Sequence, residues 1–335
     1  MTPSRFNEAN AAVVKRATPE AVRKEGYYGL PMLKRPLWGW QIAIYFFAEG
    51  ISSGTFVLAT MADLFGSGRY VPLIRNARYI SMAALIPCPP LLIADLGRPE
   101  RFHHMLRVVK PQSPMNVGAW ALMGFSQPVA LLALKQFASL RWMPARVLGI
   151  AGLPFALTML AYPGVLLSTT SNPLWSRSRF LSPLLGASSM ASAASTLAIA
   201  AALDPKTDDS TRAVIHNVEL FAHTAEALAL AGYVAMEGPS AKPLTRGGYS
   251  RMFRIGAFTA GIVLPSLLSL HRKRSKSVAV ASGLLSIAGA LALKWSIVYA
   301  GRDAADDASL NRHATRADAQ NPGWMPTTDV RTGVR

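Results

Sequence analysis

Long apolar segments separated by short charged loops are the feature that most restricts how this protein can fold. Each segment is about 20 residues long, the length that an α-helix needs to cross ~30 Å of hydrocarbon. Because 51% of the 335 residues are hydrophobic and only 16% are charged, the composition is not that of a soluble domain. We therefore predict an all-α integral membrane protein with about eight transmembrane helices arranged as helical bundles. The predicted spans cover residues 39–65, 71–95, 115–137, 145–168, 180–203, 213–237, 252–271 and 277–300.

The spans form one transmembrane domain, residues 38–301, between two polar segments. Residues 1–37 are a basic N-terminal arm, and because its first 36 residues are polar we expect no cleavable signal peptide. Residues 302–335 are a polar C-terminal tail that we expect to be poorly ordered unless a partner holds it. An even number of spans places the two termini and the loop between the second and third spans on the same side of the membrane.

The net charge of +17 comes from Lys and Arg residues that lie mainly in short loops beside the apolar segments. In these positions they suit anionic lipid headgroups and an acidic partner surface, and they do not indicate nucleic acid. A single cysteine, Cys88, excludes an internal disulfide and cannot hold an iron–sulfur cluster. We find no metal-binding motif, phosphate-binding loop or nucleophile triad, so a redox metal would have to come from another protein.

The loop after the second span, residues 95–102, combines charge, proline and glycine. Gly97 permits a tight backbone and Pro99 fixes a turn. Asp95 lies where the helix leaves the hydrocarbon, and Arg98 is close enough in sequence to pair with it. These features indicate a structured site at the membrane surface.

Prolines predict breaks in two of the helices. In the fourth span, Tyr162-Pro163-Gly164 predicts a break where a phenol can offer a hydrogen bond inside an apolar bundle. Broken membrane helices often line ligand cavities, and a plain kink is the alternative. In the second span the prolines are Pro87, Pro89 and Pro90.

The first span places a carboxyl group, Glu49, near the middle of the bilayer, where a charge is costly. Gly50 and Gly54 beside it allow close helix contact. A proton-handling group is one interpretation of Glu49. A protonated carboxyl that bonds to a neighbouring helix is the other, and the sequence favours neither.

The sixth span carries four titratable residues that form one polar stripe facing the bundle. The stripe is either a path for protons or a structural contact. A haem is a weaker alternative, because two histidines seven residues apart lie ~10.5 Å apart along a helix and cannot bind one iron together. The stripe consists of His216, Glu219, His223 and Glu226.

Two other spans carry polar residues for which we expect packing or surface roles. Lys294 in the last span is expected to extend its amine toward the headgroups. The fifth span is rich in small residues, which predicts close contact with neighbouring helices. Its serines include Ser188, Ser189, Ser192 and Ser195.

With these motifs the sequence resembles the membrane-anchor subunits of the polysulfide reductase, or NrfD-like, family. The resemblance extends over roughly residues 27–303, and the loop motif is its most specific part. The matching segments are Trp38–Phe47, Asp95–Phe102, Ser113–Trp120, Tyr162–Leu167 and Lys294–Gly301.

The resemblance implies the quinone-binding membrane-anchor subunit of a multisubunit respiratory oxidoreductase in the bacterial plasma membrane, with no catalytic residue, haem or cluster of its own. It implies electron exchange between menaquinone or ubiquinone and a four-cluster iron–sulfur subunit, which is joined to a molybdopterin catalytic subunit. The quinone-binding residues that it implies are Trp38, Gln41, Asp95, Arg98 and Tyr162.

Quinone chemistry moves protons as well as electrons, so the titratable groups inside the spans gain a possible role from this resemblance. The alternatives are a proton or solute transporter that uses the stripe of the sixth span, and a haem-bearing cytochrome subunit. The candidate proton-handling residues are Glu49, His216, Glu219, His223 and Glu226.

Overall fold

In a computed structural model the chain is described over residues 33–66, 68–140, 142–176, 178–269, 275–307 and 309–311. These residues form helices joined by short loops, without a strand. A π-helical segment, Met252–Val263, precedes α10, and 3₁₀ turns cover Gly68–Tyr70, Pro99–Arg101 and Gly238–Ala241. The α-helices are α1 (Trp40–Phe65), α2 (Val71–Leu85), α3 (Cys88–Ala94), α4 (His104–Arg107), α5 (Pro114–Phe137), α6 (Ala145–Ser168), α7 (Leu181–Leu203), α8 (Asp209–Glu237), α9 (Lys242–Arg246), α10 (Leu264–Ser269) and α11 (Lys276–Asp306).

Within the part of the chain that the structure describes, seven helical segments are long and apolar enough to cross a membrane. They match the predicted spans except the sixth. Helix α8 occupies that position and has 29 residues, so it is also long enough, but its polar stripe makes it less apolar than the others. It packs along α7, and the predicted all-α membrane fold with about eight helices is confirmed.

Helix α7 lies at the centre of the bundle and contacts α1, α6, α8 and α11. The predicted close packing of its small residues is confirmed, since all four of its predicted serines are fully buried. A Cβ atom at Gly50 of α1 would overlap the side chain of Ser189. One at Gly54 would lie 2.6 Å from the Cβ of Ala193. The two glycines therefore set the distance between α1 and α7.

The predicted break in the second span is confirmed, because α2 ends at Leu85 and α3 begins at Cys88. The break predicted in the fourth span is wrong, since α6 continues through Pro163 to Ser168. A proline removes only one backbone donor, and here the helix continues past it where it packs tightly against α7. A Cβ at Gly164 would overlap the backbone of Ser182, whose hydroxyl donates to the Ala161 carbonyl at 2.8 Å.

The seventh span differs from the ordinary α-helix that we predicted over 252–271, because its first 12 residues form a π-helix. The Thr259 hydroxyl donates to the Arg254 carbonyl at 2.9 Å, five residues earlier in the chain. Gly261 meets Gly289 of α11 with no room for a Cβ on either residue. The glycine pair lets the wider π-helix lie against α11.

Ion pairs identify the two ends of the bundle. Arg35, before α1, lies 3.4 Å from Asp303 and 3.4 Å from Asp306 at the end of α11. The start of α1 and the end of α11 are therefore on one side, as predicted, together with the 95–113 loop; we call this side the loop face. On the other side, the far face, Asp63 pairs with Arg78 at 2.6 Å.

The C-terminal tail begins inside a helix. Helix α11 extends to Asp306, and Leu310 is only 5% exposed and packs on the hydrophobic core. The expectation of poor order is therefore wrong for residues 302–307 and 309–311. The predictions for residues 1–32 and 312–335 fall outside the described residues.

Candidate functional site

A cavity of about 270 Å³ lies at the loop face between α1, α3, α5 and α6. Its wall is mostly apolar, with Ile42, Phe46, Leu92, Leu122 and Leu166 among the lining residues. A mostly apolar cavity with a few polar groups suits a small, largely apolar ligand. The polar atoms in the wall come from Trp38, Tyr45, Asp95, Ser126 and Tyr162.

The 95–113 loop covers one end of this cavity with Phe102, Met105 and Leu106. Asn116 on α5 holds the loop in place. Its side-chain amide donates to the carbonyls of Met105 and Val108, both at 2.9 Å, and its carbonyl accepts the Lys110 N–H at 2.7 Å. This gives the motif around Asn116 a physical role that the sequence did not reveal.

Tyr162 reaches the cavity from α6 because α5 has a glycine where the two helices meet. A Cβ at Gly118 would overlap the Tyr162 ring and hydroxyl. Neither the Tyr162 phenol nor that of Tyr45 hydrogen-bonds to another described residue. Both hydroxyls are thus available to a ligand.

Asp95 lines the cavity directly after the last residue of α3. Partial burial raises the pKa of its carboxyl group, and the nearby Gly39 N–H partly offsets this rise. The Asp95 contact therefore joins the end of α3 to the start of α1. The expected ion pair with Arg98 is not formed between these two described residues, and the Arg98 side chain is exposed.

Trp38 also lines the cavity, and its ring stacks on Trp175 with 5.6 Å between the ring centroids. The fully buried Trp175 donates its indole N–H to the Ile297 carbonyl at 3.0 Å. A Cβ at Gly301 would overlap its ring. The sequence analysis did not single out Trp175, although a tryptophan two residues after a proline in a short loop is a signal for an anchored turn.

The structure thus brings Trp38, Asp95 and Tyr162 together in one cavity, as the resemblance implied. Gln41 and Arg98 lie beside it but do not line it. The Gln41 side chain turns back toward Gly39. A quinone-binding role for these residues stays a prediction.

A second group of polar residues lies inside the bundle, next to the cavity. Glu49 is fully buried, and its carboxylate oxygens have no hydrogen-bond partner among the described residues. Lys294 of α11 is fully buried as well, so the expectation that its amine extends to the headgroups is wrong. The amine lies 3.5 Å from the Ser188 hydroxyl and within electrostatic range of Glu49 and Glu226.

The polar stripe of α8 faces the bundle, as predicted. Glu219, His223 and Glu226 are each at most 3% exposed. The Ser195 hydroxyl donates to Glu219 at 2.9 Å, and His223 Nδ1 lies 3.6 Å from Glu226 Oε2.

The stripe ends at a second cavity of about 470 Å³ between α7, α8 and the start of α11. His216 and Glu219 line this cavity, together with the charged residues Asp209, Arg212 and Lys276. Asp209 and Lys276 begin their helices at the far face. The two cavities therefore lie toward opposite faces of the bundle. His216 and His223 do not face one common site, which does not favour a haem held between them.

Comparison with known proteins identifies the family. The family model described as "Polysulphide reductase, NrfD" matches residues 30–304. The chain belongs to this family. The matched range contains the loop-face cavity, the buried Glu49 and Lys294, and the whole stripe of α8. The candidate site is thus part of the NrfD domain.

Two relatives are similar to this NrfD-family protein over most of their length. The C chain of the polysulfide reductase of Wolinella succinogenes is 28% identical in an alignment 301 residues long that covers 79% of the present sequence and 94% of the relative. Protein NrfD of Escherichia coli is 28% identical in an alignment 308 residues long that covers 79% of the present sequence and 95% of that relative. The C subunit of the selenate reductase of Mesobacillus selenatarsenatis is 32% identical over 79 residues, only 24% of the present sequence and 18% of that relative.

Proposed function

We propose that this NrfD-family protein is the quinone-reactive membrane-anchor subunit of a multisubunit reductase in the bacterial plasma membrane. The observation that supports this most directly is the loop-face cavity, where the unpaired Tyr162 phenol lies on an apolar wall. A quinone headgroup is a flat ring with hydrogen-bond acceptors at its edge. A donor phenol among aliphatic and aromatic side chains suits such a ligand.

A lipid-soluble ligand needs an opening toward the hydrocarbon. Phe102 and Met115 line the cavity and are 41% and 47% exposed, and Pro89 of α3, which also lines it, is exposed as well. The cavity therefore reaches the protein surface between α3, the loop and α5. This opening supports entry of a quinone from the membrane.

Reduction of a quinone consumes two electrons and two protons, so a titratable group near the headgroup is useful. Glu49 lies within electrostatic range of both Tyr45 and Tyr162, the two phenols in the cavity wall. We propose that Glu49 exchanges protons with the bound headgroup through these phenols, and that the α8 stripe takes part in the same proton handling.

The electrons need a partner, since one cysteine cannot ligate a cluster. We propose a four-cluster iron–sulfur subunit, joined to a molybdopterin catalytic subunit, that binds at the loop face. The relatives, which are named as single components of polysulfide and selenate reductases, support an assembly of this kind. The exposed basic side chains of the loop, which suit an acidic partner, are Arg98, Arg101, Arg107 and Lys110.

The test is the change of Tyr162 to Phe in the purified complex. One neutral hydrogen bond contributes ~0.5–1.5 kcal/mol, so we expect quinone turnover to fall about twofold to tenfold while the complex still assembles. Tyr79→Phe is the matched control, because Tyr79 is 41% exposed on α2 and does not line the cavity. Unchanged quinone kinetics in Tyr162→Phe, or purification of the native protein without an iron–sulfur protein, would contradict the proposal.

A proton or solute transporter is the second candidate, because charged groups are buried along α8 and α11. The isolated protein in liposomes distinguishes the two. Transport without any partner supports the transporter, whereas quinone turnover that needs the iron–sulfur protein supports the first candidate.

A further inference from the structure

Three titratable side chains from three helices are buried within electrostatic range of one another through Lys294. Glu49 of α1, Lys294 of α11 and Glu226 of α8 are at most 3% exposed. The Lys294 amine interacts electrostatically with both carboxylates and lies 3.5 Å from the Ser188 hydroxyl on the central helix. Burial of charged groups is costly and adds little stability even when they are paired. A function that needs titratable groups at this depth would explain why they are present.

One end of this cluster lies near two tyrosines of the loop-face cavity. Glu49 is within electrostatic range of Tyr45 and Tyr162, and both tyrosines line the cavity. A proton released at the cavity wall therefore has Glu49 and the Cys88 thiol, which are within electrostatic range of each other, as its titratable neighbours inside the bundle.

The other end leads to the far face. Glu226 lies 3.6 Å from His223, and Glu219 is one helical turn further along the same face of α8. Glu219 and His216 line the far-face cavity, where Asp209 and Arg212 are also found. The stripe reaches Glu226, and Lys294 of α11 is within electrostatic range of both Glu226 and Glu49.

We propose that Lys294 joins Glu49 to the stripe of α8, so that one proton route runs from the loop-face cavity to the far-face cavity. An amine between two carboxyl groups can accept a proton from one and donate it to the other. The route rests on the proposed quinone chemistry and adds to it the membrane face with which the quinone exchanges its protons.

Each quinone takes up equal numbers of electrons and protons. Two electrons from the iron–sulfur partner and two protons convert one quinone to one quinol, with two O–H bonds formed. Electrons enter from the loop face and protons from the far face, so each turnover moves charge across the membrane. The reverse reaction breaks the two O–H bonds and sends electrons and protons back along the same two paths.

The test uses the whole complex in liposomes that contain a pH-sensitive dye and a lipid quinone. A reduced viologen dye added outside donates one electron per molecule to complexes whose iron–sulfur subunit faces outward, and valinomycin with K⁺ balances the charge. We expect the wild type to take one proton from the interior for each electron. Lys294→Met should slow proton uptake from the interior, and the quinone reduction that depends on it, about a hundredfold, the scale of losing one positioned proton-transfer group.

Two further variants separate proton transfer from a structural role. Lys294→Arg keeps the positive charge but does not release its proton, so proton uptake should be lost although a structural role would be preserved. Glu226→Gln should give the same loss and keeps nearly the same shape. Ser296→Ala is the control, because this fully buried residue lies about 200° away from Lys294 around α11.

The outcomes are distinct. Loss of interior uptake in the Lys294 and Glu226 variants, with Ser296→Ala unchanged, supports the route. Quinone reduction by the wild type without interior uptake, or full uptake in Lys294→Arg, overturns the route but leaves the proposed function standing. If an intact wild-type complex does not reduce quinone, the proposed function itself is wrong.

Discussion

The contact between Gly118 and Tyr162 allows a sharp test of the loop-face cavity. A methyl group at position 118 would overlap three atoms of Tyr162, namely Cζ, Oη and Cε2. Carbon atoms in contact lie ~3.5–4.0 Å apart, so the tyrosine ring has to move by about 1 Å or more in Gly118→Ala. The variant therefore displaces the phenol without removing it.

The expected cost in stability is small. Overpacking of a core costs ~1–3 kcal/mol, and replacing glycine by alanine in a helix returns ~1 kcal/mol, which leaves about 0–2 kcal/mol. The expected cost in activity is larger. Loss of one hydrogen bond lowers turnover by up to about tenfold, and a 1 Å misplacement of a positioning group lowers turnover by about a hundredfold. We expect quinone turnover in Gly118→Ala to fall within this range.

The assay measures quinone reduction and the thermal unfolding midpoint of the same purified complex. Gly124→Ala is the matched control: it is also on α5, its Cβ would lie 2.5 Å from the Phe155 ring of α6, and neither residue lines the cavity. It should change the midpoint by a similar amount and leave turnover unchanged. Equal turnover in the two variants would refute a role for the Tyr162 position in quinone binding.

Three further predictions follow from the loop and the far face. Asn116→Ala removes three hydrogen bonds that hold the loop over the cavity, and we expect a raised KM for quinone with little change in assembly. Folding raises the pKa of the Asp95 carboxyl group above its ordinary value of 3.8, so this group contributes less to stability as pH rises above that value. The change Asp95→Asn removes the titrating group and should flatten the dependence of the unfolding midpoint on pH. Asp63→Ala leaves the buried Arg78 without its partner at 2.6 Å, which should cost ~3–5 kcal/mol by denaturant unfolding, whereas a cost below ~1 kcal/mol would show that the pair is replaceable.

Hydropathy and proline positions predicted most of the fold because these signals are local. The apolar segments give the spans, and Pro87 and its neighbours give the break between α2 and α3. The error at Lys294 has a local cause too. With a span that ends at residue 300, Lys294 lies ~9 Å from the helix end and its amine can reach the headgroups. Helix α11 continues to Asp306, which places Lys294 ~18 Å from that end.

The geometry of the cavity depends on contacts between helices, which a single sequence does not specify. Gln41 is four residues before Tyr45, which places the two on one face of a helix, but the Gln41 side chain turns back toward Gly39. The fit of Tyr162 against Gly118 depends on the register between α5 and α6, for which neither helix has a periodic signal. In the sequence, only the resemblance to a family places Tyr162 and Asp95 in the same site.

The buried titratable groups of α1, α8 and α11 also restrict the net charge that the bundle can carry. Three buried carboxyl groups, those of Glu49, Glu219 and Glu226, share the bundle with the ammonium of Lys294 and the imidazole of His223. If all three carboxyl groups were ionised, the cluster would carry a net negative charge in a medium where an unbalanced charge is very costly. The ammonium of Lys294 is within electrostatic range of Glu49 and Glu226, whereas Arg212 and Lys276 line the far-face cavity together with Glu219. The route between the two cavities therefore depends on Lys294, because its removal would leave Glu49 and Glu226 to bear the cost of burial without that positive charge.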